Sequence, residues 1–364
     1  MKKICILFIC FLFCSCSIAI PASKEVIIDE FIPSSSKVTL SMFGDALIHS
    51  PIYNDAYEEG RYNFDKMFTE LKSTISSSDL LFYNQETIIG GKSLGYSGYP
   101  RFNTPPEFGE TMINLGFNIV SRANNHTLDR GEPAILNSCN FWNRHPSVLT
   151  NGSACTIEER NTPKIFEKNG IKYTLLSYTE MTNGLKAKES YHVNIYSDEI
   201  VLNDIEKIKN DVDLILVSMH WGNEYTTIPT SEQIRISKYL SSLGANIIIG
   251  THPHVIEPIE WIGNTLVIYS LGNFISNQKT VDDYARRIGL MVNVDIIKTI
   301  TDHETRITLD NLNTELIYTY SQNSKDFKVI PFSKMSDSYL KNYKNYQNKY
   351  NAIIKYYDEH IRTN

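Results

Sequence analysis

The sequence predicts an α/β fold. Apolar runs typical of strands alternate along the chain with segments of helical spacing. Polar clusters follow several of these runs directly, which is typical of α/β sheets that carry a site at the carboxyl ends of their strands. The 364 residues are 42% hydrophobic and 21% charged, which is a globular composition, and they allow one large or two ordinary domains.

The predicted elements follow from local patterns taken in chain order. The apolar run 38–43 predicts the first strand, and the apolar positions of 64–77 have helical spacing. Pro105 begins a helix that ends near Gly116. The further predicted strands are 80–83, 118–121, 173–178, 214–219, 245–249, 266–271, 290–297 and 306–320, and the further helices are 132–142, 198–209 and 231–243.

Residues 1–16 have the pattern of a bacterial lipoprotein signal. Lys2 and Lys3 precede an apolar stretch that is too short to remain as a spanning helix, and Cys16 would carry the lipid. We therefore expect an extracytoplasmic protein that is anchored to the bacterial cell membrane. The alternative is ordinary secretion with cleavage after Ala19 or Ala22.

The remainder divides into a linker at 17–37, a main domain at 38–330 and a C-terminal helical extension at 331–364. Cys139 and Cys155 are the only cysteines beyond the leader. They would form a disulfide outside the cell or remain free buried thiols, and the sequence leaves both options open.

Net charge and side-chain clusters limit the function classes. A formal net charge of -6 argues against a broad nucleic-acid surface, so no nucleic-acid partner is expected. Histidine, carboxylate and asparagine recur together, and this set binds borderline divalent metals. The clusters are Asp45 with His49, Asn84 with Glu86, Asn124–Asn125–His126 with Asp129, His220 with Glu224, and His252 with His254.

Each cluster is ambiguous when taken alone. The pair Asp45 and His49 is more typical of a cap or a surface contact than of a metal site. Asn125 offers a hard oxygen ligand, and His126 is a candidate general acid oriented by Asp129, although a helix cap would explain the same residues. His220 alone is more often structural.

The histidines of the His252–Pro253–His254 segment pose a geometric question. Pro253 fixes the backbone between them, and we expect both rings to reach one centre only if the loop twists. Gly250 gives the backbone that freedom.

Taken in order, these motifs resemble CapA-type poly-γ-glutamate capsule biosynthesis proteins, which are similar to calcineurin-like metallophosphoesterases. The resemblance covers about 38–277. The matching stretches are Phe43–Gly44–Asp45, Asn84–Gln85–Glu86, Asn124–Asn125–His126 with Asp129 and Gly131, 220–225, 250–255 and 269–274.

The resemblance implies a four-layer α/β/β/α sandwich and one or two divalent ions, with Mn, Zn or Fe as candidates. Asp45 and His49 would hold one ion, Asn125 and His220 would help to hold a second, and His252 and His254 would complete the site. Glu86 would stand where the phosphoesterases have a bridging aspartate, and His126 would be the general acid. The first motif also departs from the phosphoesterase Asp-x-His pattern, because His49 lies two positions further on.

The expected function is that of a cell-surface protein in capsule, poly-γ-glutamate or related surface-polymer biosynthesis, with a metal-dependent site of the hydrolase type. It would activate water for attack on a phosphoryl, amide or ester centre. Asn84, Glu224, Asn273 and Arg286 are the candidate substrate contacts, although Arg286 also fits a solvated strand edge. Expected partners are an anionic surface polymer or a phosphorylated small molecule, the membrane through the lipid, and capsule-synthesis membrane proteins.

Two alternatives are open. In the first alternative, the protein is a non-catalytic polymer-binding or assembly factor with a structural or vestigial metal site. In the second alternative, the histidines pair with carboxylates to stabilise loops and bind no ion.

Overall fold

The computed structural model describes residues 33–278 and 284–364. The predicted signal segment with Cys16, and most of the predicted linker, lie outside the described residues. The helices are α1 (Ser50–Ala56), α2 (Lys72–Ile75), α3 (Pro106–Asn114), α4 (Gly131–Asn143), α5 (Ile157–Asn161), α6 (Asp198–Ile208), α7 (Ser231–Ser242) and α8 (Tyr343–Ile354).

The strands alternate with these helices over the first two thirds of the described chain. They are β1 (Ser34–Leu47), β2 (Tyr57–Glu58), β3 (Arg61–Tyr62), β4 (Leu80–Asn84), β5 (Ile119–Ser121), β6 (Leu149–Asn151), β7 (Phe166–Lys168), β8 (Ile171–Thr179), β9 (Leu214–His220), β10 (Ile247–Thr251), β11 (Ile259–Ile262), β12 (Thr265–Ile268), β13 (Asn273–Ser276), β14 (Ile288–Ile300), β15 (Thr305–Gln322), β16 (Lys325–Pro331) and β17 (Arg362–Thr363). The α/β class predicted from the sequence is confirmed.

Two large sheets contain most of the strands. The larger has the order β16-β15-β14-β1-β4-β5-β6, with β13 beside β1 and β17 beside β15. The smaller has the order β11-β12-β10-β9-β8-β7. Strands β1, β4, β5 and β6 run parallel to one another, as do β8, β9, β10 and β12. Every residue of β4 and β9 is buried, which explains why these strands read as nearly continuous apolar runs.

The main core lies between the two sheets. Leu40 and Phe82 of the larger sheet and Leu216 and Ile249 of the smaller sheet belong to one buried apolar cluster. A second cluster joins the larger sheet to α3 and α4, and a third joins the smaller sheet to α6 and α7. Among the described residues, no helix is both long enough and apolar enough to cross a membrane.

Several element boundaries differ from the prediction. The predicted helix 64–77 is a 3₁₀ turn at Asp65–Phe68 followed by the short α2. Its apolar positions are buried as predicted, but the serine- and threonine-rich sequence after 72 favours turns over a long helix. Strand β1 begins at Ser34, within the predicted linker, because Ser34–Ser36 pair with β14.

The C-terminal segment packs on the main core. Helix α8 is shorter than the predicted helical tail, and Tyr350 and Ile354 from it are fully buried in the cluster between the sheets. The final residues add β17 to the edge of β15. Cys139 of α4 and Cys155 are joined in a disulfide, so the first of the two options left open by the sequence is the observed one.

Candidate metal centre and adjoining cleft

The polar residues of the site lie where parallel strands of both sheets end. In the larger sheet Asp45 of β1 is in register with Asn84 of β4 and with Asn273 of β13. In the smaller sheet His220 of β9 is in register with Thr251 of β10. The sheets meet here, since the backbone amide of residue 252 donates to Asp45 Oδ2 at 3.1 Å.

One potential ligand group consists of Asp45, Glu86 and His254. Their ligand atoms all lie within 4.8 Å of one another. His254 Nδ1 is 3.5 Å from Asp45 Oδ2, and His254 Nε2 is 3.6 Å from Glu86 Oε1. All three side chains are buried, so an ion held by them would be shielded from bulk water.

A second potential ligand group consists of Glu86, His220 and His252. Their ligand atoms also lie within 4.8 Å of one another. His220 Nε2 is 3.1 Å from His252 Nδ1 and 3.7 Å from Glu86 Oε1. Asn125 Oδ1 reaches the same ring, at 3.0 Å from His220 Nε2. Glu86 is common to both groups, which is the position that a bridging carboxylate requires.

The loop after β10 allows both of its histidines to point into the site. His252 has φ 96° and His254 has φ 57°, both in the left-handed region that non-glycine residues rarely adopt. These two left-handed residues twist the loop, and each ring belongs to one of the two ligand groups. Such backbone strain persists only where the surrounding structure holds it, and it is common at functional sites.

Three further polar side chains lie within hydrogen-bond distance of the potential ligands and orient them. Asn84 Nδ2 donates to Asp45 Oδ1 at 2.7 Å, and Thr251 Oγ1 lies 3.0 Å from His220 Nδ1. Asn273 Oδ1 lies 3.0 Å from His254 Nδ1. Asn84 and Asn273, which were predicted as substrate contacts, are both fully buried and engaged with ligand side chains.

The electrostatics of the cluster favour a bound cation. Burial raises the pKa of Glu86 well above its ordinary value, and neither carboxylate oxygen has a hydrogen-bond partner among the described residues. Burial lowers the pKa of His252 to about 4 and that of His220 well below the usual range, so both rings are neutral, which is the form that binds metal.

The pKa of His254, the remaining histidine of the cluster, depends on the neighbouring carboxylates. Burial acts to lower the pKa of His254, but the charges of Glu86 and Asp45 outweigh burial and raise it to about 9. The cluster therefore attracts positive charge. With orphaned carboxylate oxygens and a donor set of carboxylate and imidazole, these residues fit a borderline divalent ion.

His126 stands beside the two ligand groups with its ring held in place. Its Nδ1 lies 2.7 Å from Asp129 Oδ2, which also accepts from the backbone amide of Phe102 at 2.7 Å. The Phe102 ring packs edge-on against His126, with centroids 4.7 Å apart. With Nδ1 bonded to the carboxylate, Nε2 is the ring nitrogen left to exchange a proton with a substrate.

A cavity of about 500 Å³ opens beside the ligand groups. Arg286 lies over the ring of Tyr225, 3.6 Å from its centroid, and that ring stacks on His254. Arg286 and Glu224, which were predicted as substrate contacts, both line this cavity. The lining residues are Leu47, His49, Ser50, Pro51, Tyr99, Phe102, His126, Glu224, Tyr225, His254, Asn277, Gln278 and Arg286.

His49 lines this cavity and belongs to neither potential ligand group of the described residues. Strand β1 ends at Leu47, so residue 49 already caps α1. Its Nδ1 lies 3.0 Å from the Leu47 carbonyl oxygen and 3.3 Å from the Asn277 amide nitrogen. Asp45 is thus grouped with Glu86 and His254, and not with His49, with which it was paired in the sequence interpretation.

The sequence interpretation missed Tyr99, Phe102 and Thr251. Thr251 precedes the His252 motif directly and was part of the quoted stretch 250–255, so its place in a motif could have indicated a role. Tyr99 and Phe102 come from the irregular segment between β4 and α3, where no local pattern signalled proximity to His126.

Comparison with known proteins adds evolutionary evidence. Residues 39–278 match the family described as bacterial capsule synthesis protein PGA_cap. The PGA biosynthesis protein CapA of Bacillus subtilis (strain 168) is 26% identical over 251 residues, which are 67% of this chain and 65% of the relative. The capsule biosynthesis protein CapA of Bacillus anthracis is 24% identical over 254 residues, which are 67% of this chain and 61% of the relative. The chain therefore spans slightly less than two thirds of the length of these curated relatives.

A solved structure supports the fold. The calcineurin-like phosphoesterase YfkN from Bacillus subtilis superposes with a TM-score of 0.50 at 14% identity, covering 76% of this chain and 90% of that one. This likeness concerns the fold alone. The match over 39–278, which agrees with the ordered motifs, shows that the chain belongs to the bacterial capsule synthesis protein family PGA_cap.

Proposed function

We propose that this protein is a metal-dependent phosphoester hydrolase that acts on an anionic surface polymer or on a phosphorylated precursor of one. The observation that carries the proposal is the pair of ligand groups that share Glu86, beside a cavity that both His254 and His126 line. Neither oxygen of the buried Glu86 carboxylate has a hydrogen-bond partner among the described residues, and this supports a cation between the two ligand groups.

Asp45, Glu86 and His254 would hold one divalent ion, and Glu86, His220 and His252 a second, with Asn125 as a further oxygen donor. Mn, Zn and Fe all suit this donor set. When bound, such ions polarise a phosphoryl oxygen and lower the pKa of water.

The residues around the cavity would perform the remaining steps. Arg286 binds the anionic phosphoryl group, and its position over Tyr225 limits its orientation. The oxygen of water bonds to phosphorus while the bond from phosphorus to the alcohol oxygen breaks. His126 gives the proton from Nε2 to that alcohol oxygen, and the proton released by water restores the protonation of His126. Asp129 keeps the ring aligned throughout.

The disulfide and the relatives support a location outside the cytoplasm. Disulfides persist in oxidising compartments, and the curated relatives are named for capsule or PGA biosynthesis. We propose that the protein is exported and anchored by a lipid on Cys16, close to capsule-synthesis membrane proteins. Metabolic labelling with palmitate should give a labelled protein whose label disappears in C16S; a labelled C16S protein would contradict the anchor.

The test of the hydrolase proposal compares variants of the full chain. Metal content is measured on purified protein, and turnover of p-nitrophenyl phosphate is followed with added Mn²⁺ or Zn²⁺. We expect Glu86→Gln to lose both metal and turnover, and His126→Ala to keep metal and lose turnover. His303→Ala, which changes an exposed histidine in the turn between β14 and β15, is the control.

One observation favours a second candidate function. The curated relatives are named for building polymer, not for degrading it. A non-catalytic polymer-binding or assembly factor would bind metal through the same residues and bind anionic polymer in the cavity. Metal at full occupancy, with no turnover of any phosphoester and with polymer binding that needs Arg286, would support this candidate over the hydrolase.

A further inference from the structure

The cavity beside the ligand groups is one arm of a longer cleft. A second cavity, of about 270 Å³, adjoins it and shares three lining residues with it: Tyr99, His126 and Glu224. The second cavity is also lined by Pro100, Arg101, Asn125, Asp129, Asn183 and Leu185. We call the first cavity the Arg286 arm and the second the Arg101 arm. His126 stands where the two arms meet.

This position of His126 limits the shape of the substrate. A phosphate monoester has one organic group and needs one arm. A phosphodiester has an organic group on each side of the phosphorus, and a chain of diesters extends in both directions. A proton donor at the junction of two arms therefore suits a bond in the interior of a chain.

Each arm contains one guanidinium group. Arg286 is stacked on Tyr225 in the first arm. Arg101 is exposed in the second arm, and no carboxylate of residues 33–278 and 284–364 forms an ion pair with it. Guanidinium groups bind phosphate oxygens in a fork geometry, so two of them on opposite sides of the junction match a substrate with repeated phosphates.

The surfaces between the two guanidinium groups suit a polar backbone. Tyr99, which is 77% exposed, forms part of both arms. The side-chain amides of Asn277 and Gln278 in one arm and of Asn183 in the other can bond to hydroxyl groups. A base-binding cleft would need several aromatic platforms, and Tyr99 is the one Phe, Tyr or Trp among the residues that line the Arg101 arm.

We propose that the substrate is a linear polyol-phosphate or sugar-phosphate chain that occupies both arms and is cut at an internal phosphodiester, with Arg101 holding the phosphate next to the one that reacts. This inference rests on the proposed hydrolase function. Water adds its oxygen to phosphorus, the bond from phosphorus to one alcohol oxygen breaks, and His126 protonates that oxygen. The products are one shorter chain that ends in a phosphate monoester and one that ends in a hydroxyl.

The test uses the full chain with Mn²⁺ and two substrates. One is a glycerol phosphate oligomer of about ten units with a fluorescent label at one end, and the other is p-nitrophenyl phosphate. We expect labelled products of intermediate length in the earliest samples. We also expect Arg101→Gln to lower the oligomer-to-monoester ratio of kcat/KM about tenfold, the effect of losing one exposed charge-assisted contact, and Arg101→Lys to restore part of it.

Two variants serve as controls. Arg286→Gln should lower kcat/KM for both substrates and leave the ratio of the two kcat/KM values unchanged, because both substrates bind in the Arg286 arm. Arg306→Gln, which removes an exposed arginine at the start of β15, should change neither value.

Three results would overturn the inference. They are stepwise release of single units from one chain end, an unchanged ratio in Arg101→Gln, and faster cleavage of an oligothymidylate of equal length. A protein that binds metal yet hydrolyses neither substrate would instead refute the proposed hydrolase function, so the two failures are distinguishable.

Discussion

Glu257 makes the stability of this protein depend on pH. Its side chain is fully buried directly after the His252–His254 loop, and Oε2 accepts from Gln233 Nε2 of α7 at 2.7 Å. The other oxygen, Oε1, has no hydrogen-bond partner among the described residues. Burial, which the Gln233 bond opposes only in part, raises the pKa of Glu257 from 4.5 to about 8.

The direction of this pH dependence follows from the number of protons that the folded and unfolded states bind. Between pH 4.5 and about 8 the folded protein keeps the Glu257 proton and the unfolded chain has lost it, so the folded state binds more protons. The free energy of unfolding therefore falls as pH rises through this window. At about 1.4 kcal/mol per pH unit, the loss between pH 5 and pH 8 is about 4 kcal/mol.

Glu257→Gln removes this titration and keeps an oxygen that can accept from Gln233. We expect the wild type to lose about 4 kcal/mol relative to the variant between pH 5 and pH 8. Urea unfolding at both pH values, with EDTA present to exclude metal, measures the difference. Glu167→Gln, at an exposed position of β7, is the control and should track the wild type. Parallel stability curves for wild type and Glu257→Gln would refute the reasoning.

Three further predictions concern the site and its support. At a metal concentration 100 times Kd, the wild-type protein should gain about 3 kcal/mol of stability, which is measured as a rise in Tm. Glu86→Gln should lose this gain, because both ligand groups need that carboxylate. An equal rise in Tm in both proteins would contradict the shared role of Glu86. His126→Ala should lower kcat by about 10²- to 10⁴-fold at unchanged metal content, since it removes only the proton donor, and a loss below threefold would assign the proton to another group. Replacing Cys139 and Cys155 by serine removes a crosslink between residues 16 positions apart, and it should lower the free energy of unfolding in urea by about 3 kcal/mol. Equal stability of the oxidised wild type and the double variant would show that the crosslink does not stabilise the fold.

Local patterns were sufficient to predict most strands and helices near the site. Strands β4 and β9 are buried along their whole length and are mostly apolar, because both faces of a central parallel strand are covered. The broken helix at 64–77 shows the limit of such reasoning. Its spacing correctly identified which residues are buried, but it did not reveal that the serine- and threonine-rich sequence after 72 favours turns, so a 3₁₀ turn and a short helix replace the long one.

The sequence alone determined the family and the set of chemically suited side chains. Both depend on short motifs, in which neighbouring residues define a strand end and the polar group that follows it. Asp45, Glu86, His126 and His252 could be identified in this way without knowledge of any contact.

Only the tertiary structure decided how these side chains are grouped. Asp45 and the backbone amide of His252 are 207 positions apart and meet because the two sheets share one apolar core. That packing makes Glu86 common to both ligand groups and leaves His49 in the cavity wall. It also forms the Arg101 arm from separate loops, since the distance between side chains depends on the packing of whole elements and not on spacing along the chain.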